Sequence, residues 1–180
     1  ASVSTENNPV HIKVKELLQE TGVNRGYGVV LGIGSGEHLD ALLAHSELNL
    51  IVLEPNVQKV AEFRRRLDDA DLYGERISIQ NGDLFSIPLP PYLAHFIFSD
   101  DPPVAGFGKG PVFAEKLFHV LRPYGGVACL NLPSDQHEQF SNWVRTAQLQ
   151  TGRIQRTQDD LYALLTRVGS LPDTDDWTHQ

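Results

Sequence analysis

Apolar residues along the chain follow two alternating rhythms. Short continuous apolar runs of strand length give way to stretches where apolar positions return every three or four residues, the period of a helix with one buried face. HIKVKELLQETG, residues 11–22, predicts an opening helix with Ile12, Leu17 and Leu18 on its apolar side and Gly22 as its stop. GYGVVLGIG predicts the first buried strand, and the helix after Gly36 carries Leu39, Leu42 and Leu43. LNLIVLE is a second continuous apolar strand, the pattern of a parallel sheet covered on both faces. VQKVAEFRRRLDDADL predicts a helix with Val57, Val60, Ala61 and Leu67 turned inward.

The alternation continues through RISIQNGD and AHFIFSD as strands three and four, PVFAEKLFHVL as a helix, GVACLNL as strand five and QHEQFSNWVRTAQL as a further helix. GRIQRTQ and DLYALLTRV then predict two strands joined by a tight turn, an antiparallel hairpin at the sheet edge. Seven strands alternating with helices imply one α/β domain built on an open, mostly parallel, doubly wound sheet. In such sheets a ligand lies outside the carboxyl ends of the strands, where the strand order reverses. The domain is expected to span residues 11–170, after a flexible segment 1–10 and before a polar tail or linker 171–180.

Bulk composition narrows the function classes. The 180 residues are enough for one sizeable core, and 41% hydrophobic with 21% charged residues is an ordinary globular balance. A formal net charge of −8 argues against a nucleic-acid partner, since surfaces that track phosphate backbones are basic. Arg64, Arg65 and Arg66 read as a solvated helix face rather than a binding patch. The single cysteine, Cys129, sits in an apolar strand and reads as an inert core residue; one cysteine forms no intrachain disulfide. No membrane-spanning stretch or signal peptide is visible, which points to a cytoplasmic protein. No histidine pair has a close metal-ligand spacing, so no metal is expected. His38, next to the glycine loop, is placed either at an exposed helix position or against a ligand.

The strand ends carry the candidate chemistry. Strand one runs into Gly32, Gly34 and Gly36, and the helix that follows presents free N–H groups and the positive end of its dipole to any anion. The same glycines can also serve a packing turn. Strand two ends in Glu54, which can accept hydrogen bonds from both hydroxyls of a ribose, or act as a cap or surface acid. Strand three ends in Asn81, Gly82 and Asp83, where a carboxylate can take the amino group of a purine or merely shape a turn. Strand four ends in Ser99, Asp100, Asp101, Pro102 and Pro103. The dinucleotide fingerprint G-x-G-x-x-G fails here, because Glu37 stands where the third glycine belongs and would sit badly against a pyrophosphate. That counts against a nicotinamide oxidoreductase.

On these residues the sequence resembles the class I S-adenosylmethionine-dependent methyltransferases over residues 11 to 168. GIGSG matches the glycine loop, Glu54 the ribose acid, Asp83 in NGD the adenine-side acid, and LRPYGG the turn before strand five. The resemblance implies a Rossmann-like methyltransferase fold, with S-adenosylmethionine as cofactor held by Gly32, Gly34, Gly36, Glu54 and Asp83. Asp101, Pro102 and Pro103 resemble the first three residues of the D-P-P-Y signature of amino-methylating members, which implies that Asp100 or Asp101 orients or deprotonates the acceptor. The acceptor is expected to be a small molecule or a protein. The chain departs from the family in three places: Val30 replaces an acid two positions before the loop, Tyr124 is inserted into the turn, and Val104 replaces the signature's aromatic residue, with Phe107 as the nearby substitute. These departures suit a second reading, a catalytically inactive cofactor-binding or interaction module. The tail ends in Trp177-Thr178-His179-Gln180, similar to the entry of a quinoprotein-type propeller repeat, which would make a covalently fused C-terminal domain a partner.

Overall fold

The structure is a computed structural model that describes residues 7–71 and 75–169. The expected tail motif, and most of the expected N-terminal segment, lie outside the described residues. Asn8 caps the first helix by accepting a hydrogen bond from the Val10 N–H at 2.9 Å, and Pro9 supplies a fixed φ at its first turn. Helix α1 (Pro9–Thr21) therefore begins two residues before the expected domain edge. It stops at Gly22, whose left-handed φ of 73° favours a residue without a Cβ, and whose N–H closes on the Leu18 carbonyl.

Seven strands form one sheet: β1 (Arg25–Leu31), β2 (Glu47–Glu54), β3 (Ile77–Asn81), β4 (Phe96–Ser99), β5 (Gly126–Asn131), β6 (Gly152–Arg156) and β7 (Tyr162–Arg167). Their order is β3-β2-β1-β4-β5-β7-β6. β1 to β5 pair in parallel, and β7 lies antiparallel between β5 and β6. The expected hairpin is present, with β6 at the edge and β7 inside. The order reverses between β1 and β4, so the crevice at the carboxyl ends of these two strands is where a ligand is expected.

Two apolar layers sandwich the sheet. One packs α1, α2 (Glu37–His45) and α3 (Val57–Asp69) against Leu50, Val52, Phe96, Phe98 and Cys129. The other packs α5 (Pro111–Val120) and α6 (Ser134–Thr146) against Val29, Leu31, Ile97 and Leu130. Alternate residues of β1 and β4 feed opposite layers, as a strand period of two requires. Cys129 is fully buried, and burial pushes its thiol pKa well up, so it is the inert core residue expected.

Three inward positions differ from expectation. Ile12 (42% exposed) and Val57 (64% exposed) face solvent, and Ala61 is exposed as well. On α1 the buried stripe runs through His11, Val14, Leu17 and Leu18; on α3 it runs through Val60, Phe63 and Leu67. In both helices a ring, His11 or Phe63, takes the inward place because the stripe is rotated by about one residue from the apolar count.

A short helix, α4 (Pro102–Ala105), and a 3-10 turn (Phe107–Lys109) follow β4. Phe107, expected as a candidate stacking residue, is buried. Its ring lies 4.6 Å from Trp143 and 6.0 Å from Phe113, centroid to centroid. It belongs to the core and presents no free face to a ligand. Phe107→Ala is expected to lower stability by roughly 3 kcal/mol, the usual cost of removing a packed aromatic ring. Urea denaturation checks this; an unchanged midpoint would mean that the ring is not part of the core.

Candidate functional site

The loop after β1 shows what the three glycines do, and they do not all do the same thing. Gly32, Gly34 and Gly36 have φ values of 98°, 59° and 85°, a region that side-chain-bearing residues rarely enter. A Cβ at Gly32 or Gly34 would meet no atom within 4 Å, so both face open space. A Cβ at Gly36 would lie 2.5 Å from the Phe63 ring. Gly36 therefore lets α2 pack closely on α3; Gly32 lines the crevice beside Asp83, and Gly34 faces a neighbouring hollow lined by Ser35, Lys59 and Arg66. α2 follows Gly36, which offers no side-chain cap, and its first N–H, that of Glu37, is met by the Ser35 hydroxyl at 3.4 Å.

Glu54 ties this loop to the next. It is 4% exposed. Its Oε1 accepts the Ile33 N–H at 3.0 Å, and its Oε2 accepts the Asn56 N–H at 2.9 Å. The carboxylate thus bridges the middle of the glycine loop and the N-cap of α3, where the Asn56 side chain accepts the N–H groups of Gln58 and Lys59. Each carboxylate oxygen keeps lone-pair capacity for a further donor.

Asp83 closes the turn after β3. Its Oδ1 accepts the N–H groups of Phe85 and Ser86, both at 2.9 Å. Burial raises its pKa, but those two amides, the Ser86 hydroxyl and the Lys109 ammonium more than offset this and hold the carboxyl below its usual range. Asp83 lines a crevice with Leu31, Gly32, Leu53, Pro55, Leu84, Val104 and Ala105. The open space is about 10 Å³, room for one water, because α4 leans over the crevice.

Beyond the loop, Asp100 is the centre of a small polar cluster. Its Oδ1 accepts the Asn131 side-chain N–H at 3.1 Å and lies 3.6 Å from His38 Nε2. The His38 ring packs on Phe98 at 5.1 Å, and Phe98 packs on Tyr162 at 5.9 Å. His38 does not take the exposed helix position: its side chain is 20% exposed, beside Asp100 and Phe98. Asp101 is exposed and caps α4 with its backbone carbonyl, which accepts the Val104 and Ala105 N–H groups at 3.1 and 3.2 Å, while its side chain makes no cap bond and stands apart from this cluster. Ser99, at the end of β4, is fully buried and its Oγ has no partner. Sequence reasoning missed the pairing of His38 and Asn131 with Asp100. Asn131 and Tyr162 are direct partners in the β5–β7 register, which a sequence pattern does not reveal. Val104 is 49% exposed, and among the described residues no aromatic ring takes the place of the absent fourth signature residue in this turn, Phe107 being buried.

The clamp at Glu54 generates a prediction. Glu54→Gln turns one acceptor toward an N–H as a donor, breaking one bond and burying an unpaired amide. This is expected to cost about 1–3 kcal/mol. Chemical denaturation measures it, and wild-type stability in the variant would show that the bridge holds nothing together.

No protein-family model matches the sequence, and no curated protein matches it. Solved structures do match. A Methanococcus maripaludis protein assigned as an S-adenosylmethionine-dependent methyltransferase superposes with a TM-score of 0.77 at 17% identity, covering 91% of this chain and 88% of that one. An S-adenosylmethionine-dependent methyltransferase from Aquifex aeolicus matches with a TM-score of 0.65 at 15% identity, over 90% and 94% of the two chains. The cyclase SpnF also matches, with a TM-score of 0.63 at 14% identity, over 81% and 58%. The first two likenesses cover nine-tenths or more of this chain, and so take in its seven-stranded sheet with the antiparallel hairpin at its end. The chain therefore has the fold of the class I S-adenosylmethionine-dependent methyltransferases.

Proposed function

We propose that the chain transfers the methyl group of S-adenosylmethionine to a small-molecule or protein acceptor. The observation that carries this reading is the pair of open, positive-φ glycines, Gly32 and Gly34, at the strand reversal point, with the buried Glu54 carboxylate bonded to the same loop. The fold alone does not choose, since it also serves a cyclase. Glu37 at the first position of α2 counts against a pyrophosphate, and so against a nicotinamide dinucleotide.

The residues fit the cofactor by chemistry. Gly32, Gly34 and the α2 N-terminus suit its charged amino-acid end, Gly36 keeping that helix in place. Glu54 has acceptor capacity for the ribose hydroxyls, and Asp83 has a carboxylate oxygen for the adenine amino group. A purine is larger than the present crevice, so Val104 and Ala105 must move outward as it enters. S-adenosylmethionine, when bound, supplies a methyl group already activated by its sulfonium. The protein then has to position the acceptor and exclude water. Asp100, held through Oδ1 by Asn131 and near His38 Nε2, is the group placed to orient the acceptor and receive its proton. Asp101 contributes as a second acid at the exposed edge of that turn.

A reading as an inactive binding module is favoured by the exposed Val104 where the signature has an aromatic residue. A fused C-terminal domain would suit that reading. Both readings keep the cofactor site, and Asp83 tests it. Asp83→Ala is expected to weaken S-adenosylmethionine binding at least tenfold by equilibrium dialysis. Unchanged affinity would remove Asp83 from the site.

A further inference from the structure

At the end of the sheet away from the glycine loop, the amino ends of β1 and β2 and the turn before β5 surround a hollow of about 740 Å³. Arg25 and Arg122 line it, with Glu47 as its one carboxylate. Both arginines are exposed, and among the described residues neither guanidinium has a bonded partner. Arg25 and Glu47 are register partners on β1 and β2, yet they form no ion pair. His95, just before β4, lines the same hollow. Its Nδ1 is buried with no hydrogen-bond partner, held against Gly26, where a Cβ would lie 2.2 Å away. Its Nε2 also lacks a partner among the described residues and is not enclosed, so that atom opens to the hollow.

We propose that this hollow is a second ligand site, and that it takes a small anion carrying a phosphate and a flat ring, the chemistry of a nucleoside monophosphate. The proposal does not rest on the methyl-transfer reading. The seven residues of β1 separate the hollow from Gly32, a distance of roughly 20 Å.

One rim of the hollow is held rigidly. In Arg122-Pro123-Tyr124-Gly125-Gly126 every N–H meets a backbone carbonyl: Arg122 that of Ala94 at 2.9 Å, Tyr124 that of Gly169 at 3.2 Å, Gly125 that of Arg167 at 2.8 Å and Gly126 that of Arg122 at 3.1 Å. Pro123 has no N–H to satisfy. The turn therefore fixes the backbone from which Arg122 and Tyr124 project. Tyr124 sits at a φ of 64°, where a glycine would be unstrained, and it is 74% exposed. A ring kept in a strained backbone position while burying little of itself is accounted for by a ligand that stacks on it. Charge sets the rest of the ligand. Two guanidinium forks against one carboxylate leave a local positive excess on a chain of net charge −8. Such planar forks match phosphate oxygens in pairs. Burial and then the Arg122 guanidinium lower the His95 pKa, so Arg122 acts at the ring and His95 is neutral near pH 7. A neutral imidazole can still donate a hydrogen bond from Nε2 to a phosphate oxygen.

The test uses uridine monophosphate, uridine and inorganic phosphate, a pyrimidine being chosen because the crevice beside Asp83 is proposed for a purine. Each is titrated into the isotope-labelled full chain at matched ionic strength, without S-adenosylmethionine. Nuclear magnetic resonance then follows the His95 ring and the amides of residues 122 and 124–126. Uridine monophosphate is expected to bind there at least tenfold more tightly than uridine and at least threefold more tightly than phosphate. The double variant Arg25→Gln, Arg122→Gln is expected to weaken it at least tenfold. Both side chains are exposed and unbonded, so the variant's signals elsewhere should match the wild type. Tyr124→Gly is expected to weaken uridine monophosphate at least threefold without lowering the urea midpoint, whereas a ring that served only the fold would lower that midpoint. Response to none of the three probes, uridine or phosphate binding as tightly as the nucleotide, or unchanged affinity in either variant would overturn the proposal.

Discussion

The site depends on one buried carboxylate. Glu54 ends β2 and spends one oxygen on the Ile33 N–H and the other on the Asn56 N–H. A charged group at 4% exposure is costly unless it is well bonded, and here two loop amides carry that burden. The consequence is geometric. The loop after β1 and the loop after β2 are held to each other at the point where the sheet reverses, so the glycine loop is braced with Gly32 at the crevice and Gly34 facing open space. A binding group that also braces the site is preorganised, because it needs little rearrangement when a ligand arrives.

Around that clamp the fold sorts the remaining groups by strand end. β3 contributes Asp83, β4 contributes Asp100, β5 contributes Asn131 and β7 contributes Tyr162. Glu54 and Asp83 lie on one side of the β1–β4 reversal, and Asp100, Asn131 and Tyr162 on the other. α4 adds a wall: Val104 and Ala105 line the crevice on a four-residue helix that ends at Gly106, whose φ is 110°. A segment this short has little of its own structure to lose when it shifts.

Much of this was legible in the residues. The runs GVVL, LIVL and HFIF are strands because continuous apolar runs suit a sheet covered on both faces, and all seven strands lie where the pattern puts them. Glu54 was found by position, at a strand end, although the sequence left it open as a cap. Gly36 was read with Gly32 and Gly34, but its role is set by Phe63, which lies 27 residues away and comes close only through tertiary packing. Phe107 illustrates the opposite error, since nearness in sequence to the signature turn says nothing of the Trp143 and Phe113 rings that enclose it. The rotation of the buried stripes on α1 and α3 was hidden for the same kind of reason: an aromatic or histidine ring can take an inward place that a count of aliphatic residues assigns to Ile12 or Val57.

The central claim is that the clamped glycine loop is a cradle for S-adenosylmethionine. Calorimetric titration of the chain with S-adenosylmethionine and S-adenosylhomocysteine, with NAD as control, tests it most directly. The account predicts micromolar binding of the first two and none of NAD. Binding of NAD alone, or of none of the three, would contradict it and leave Gly32 and Gly34 as parts of a turn.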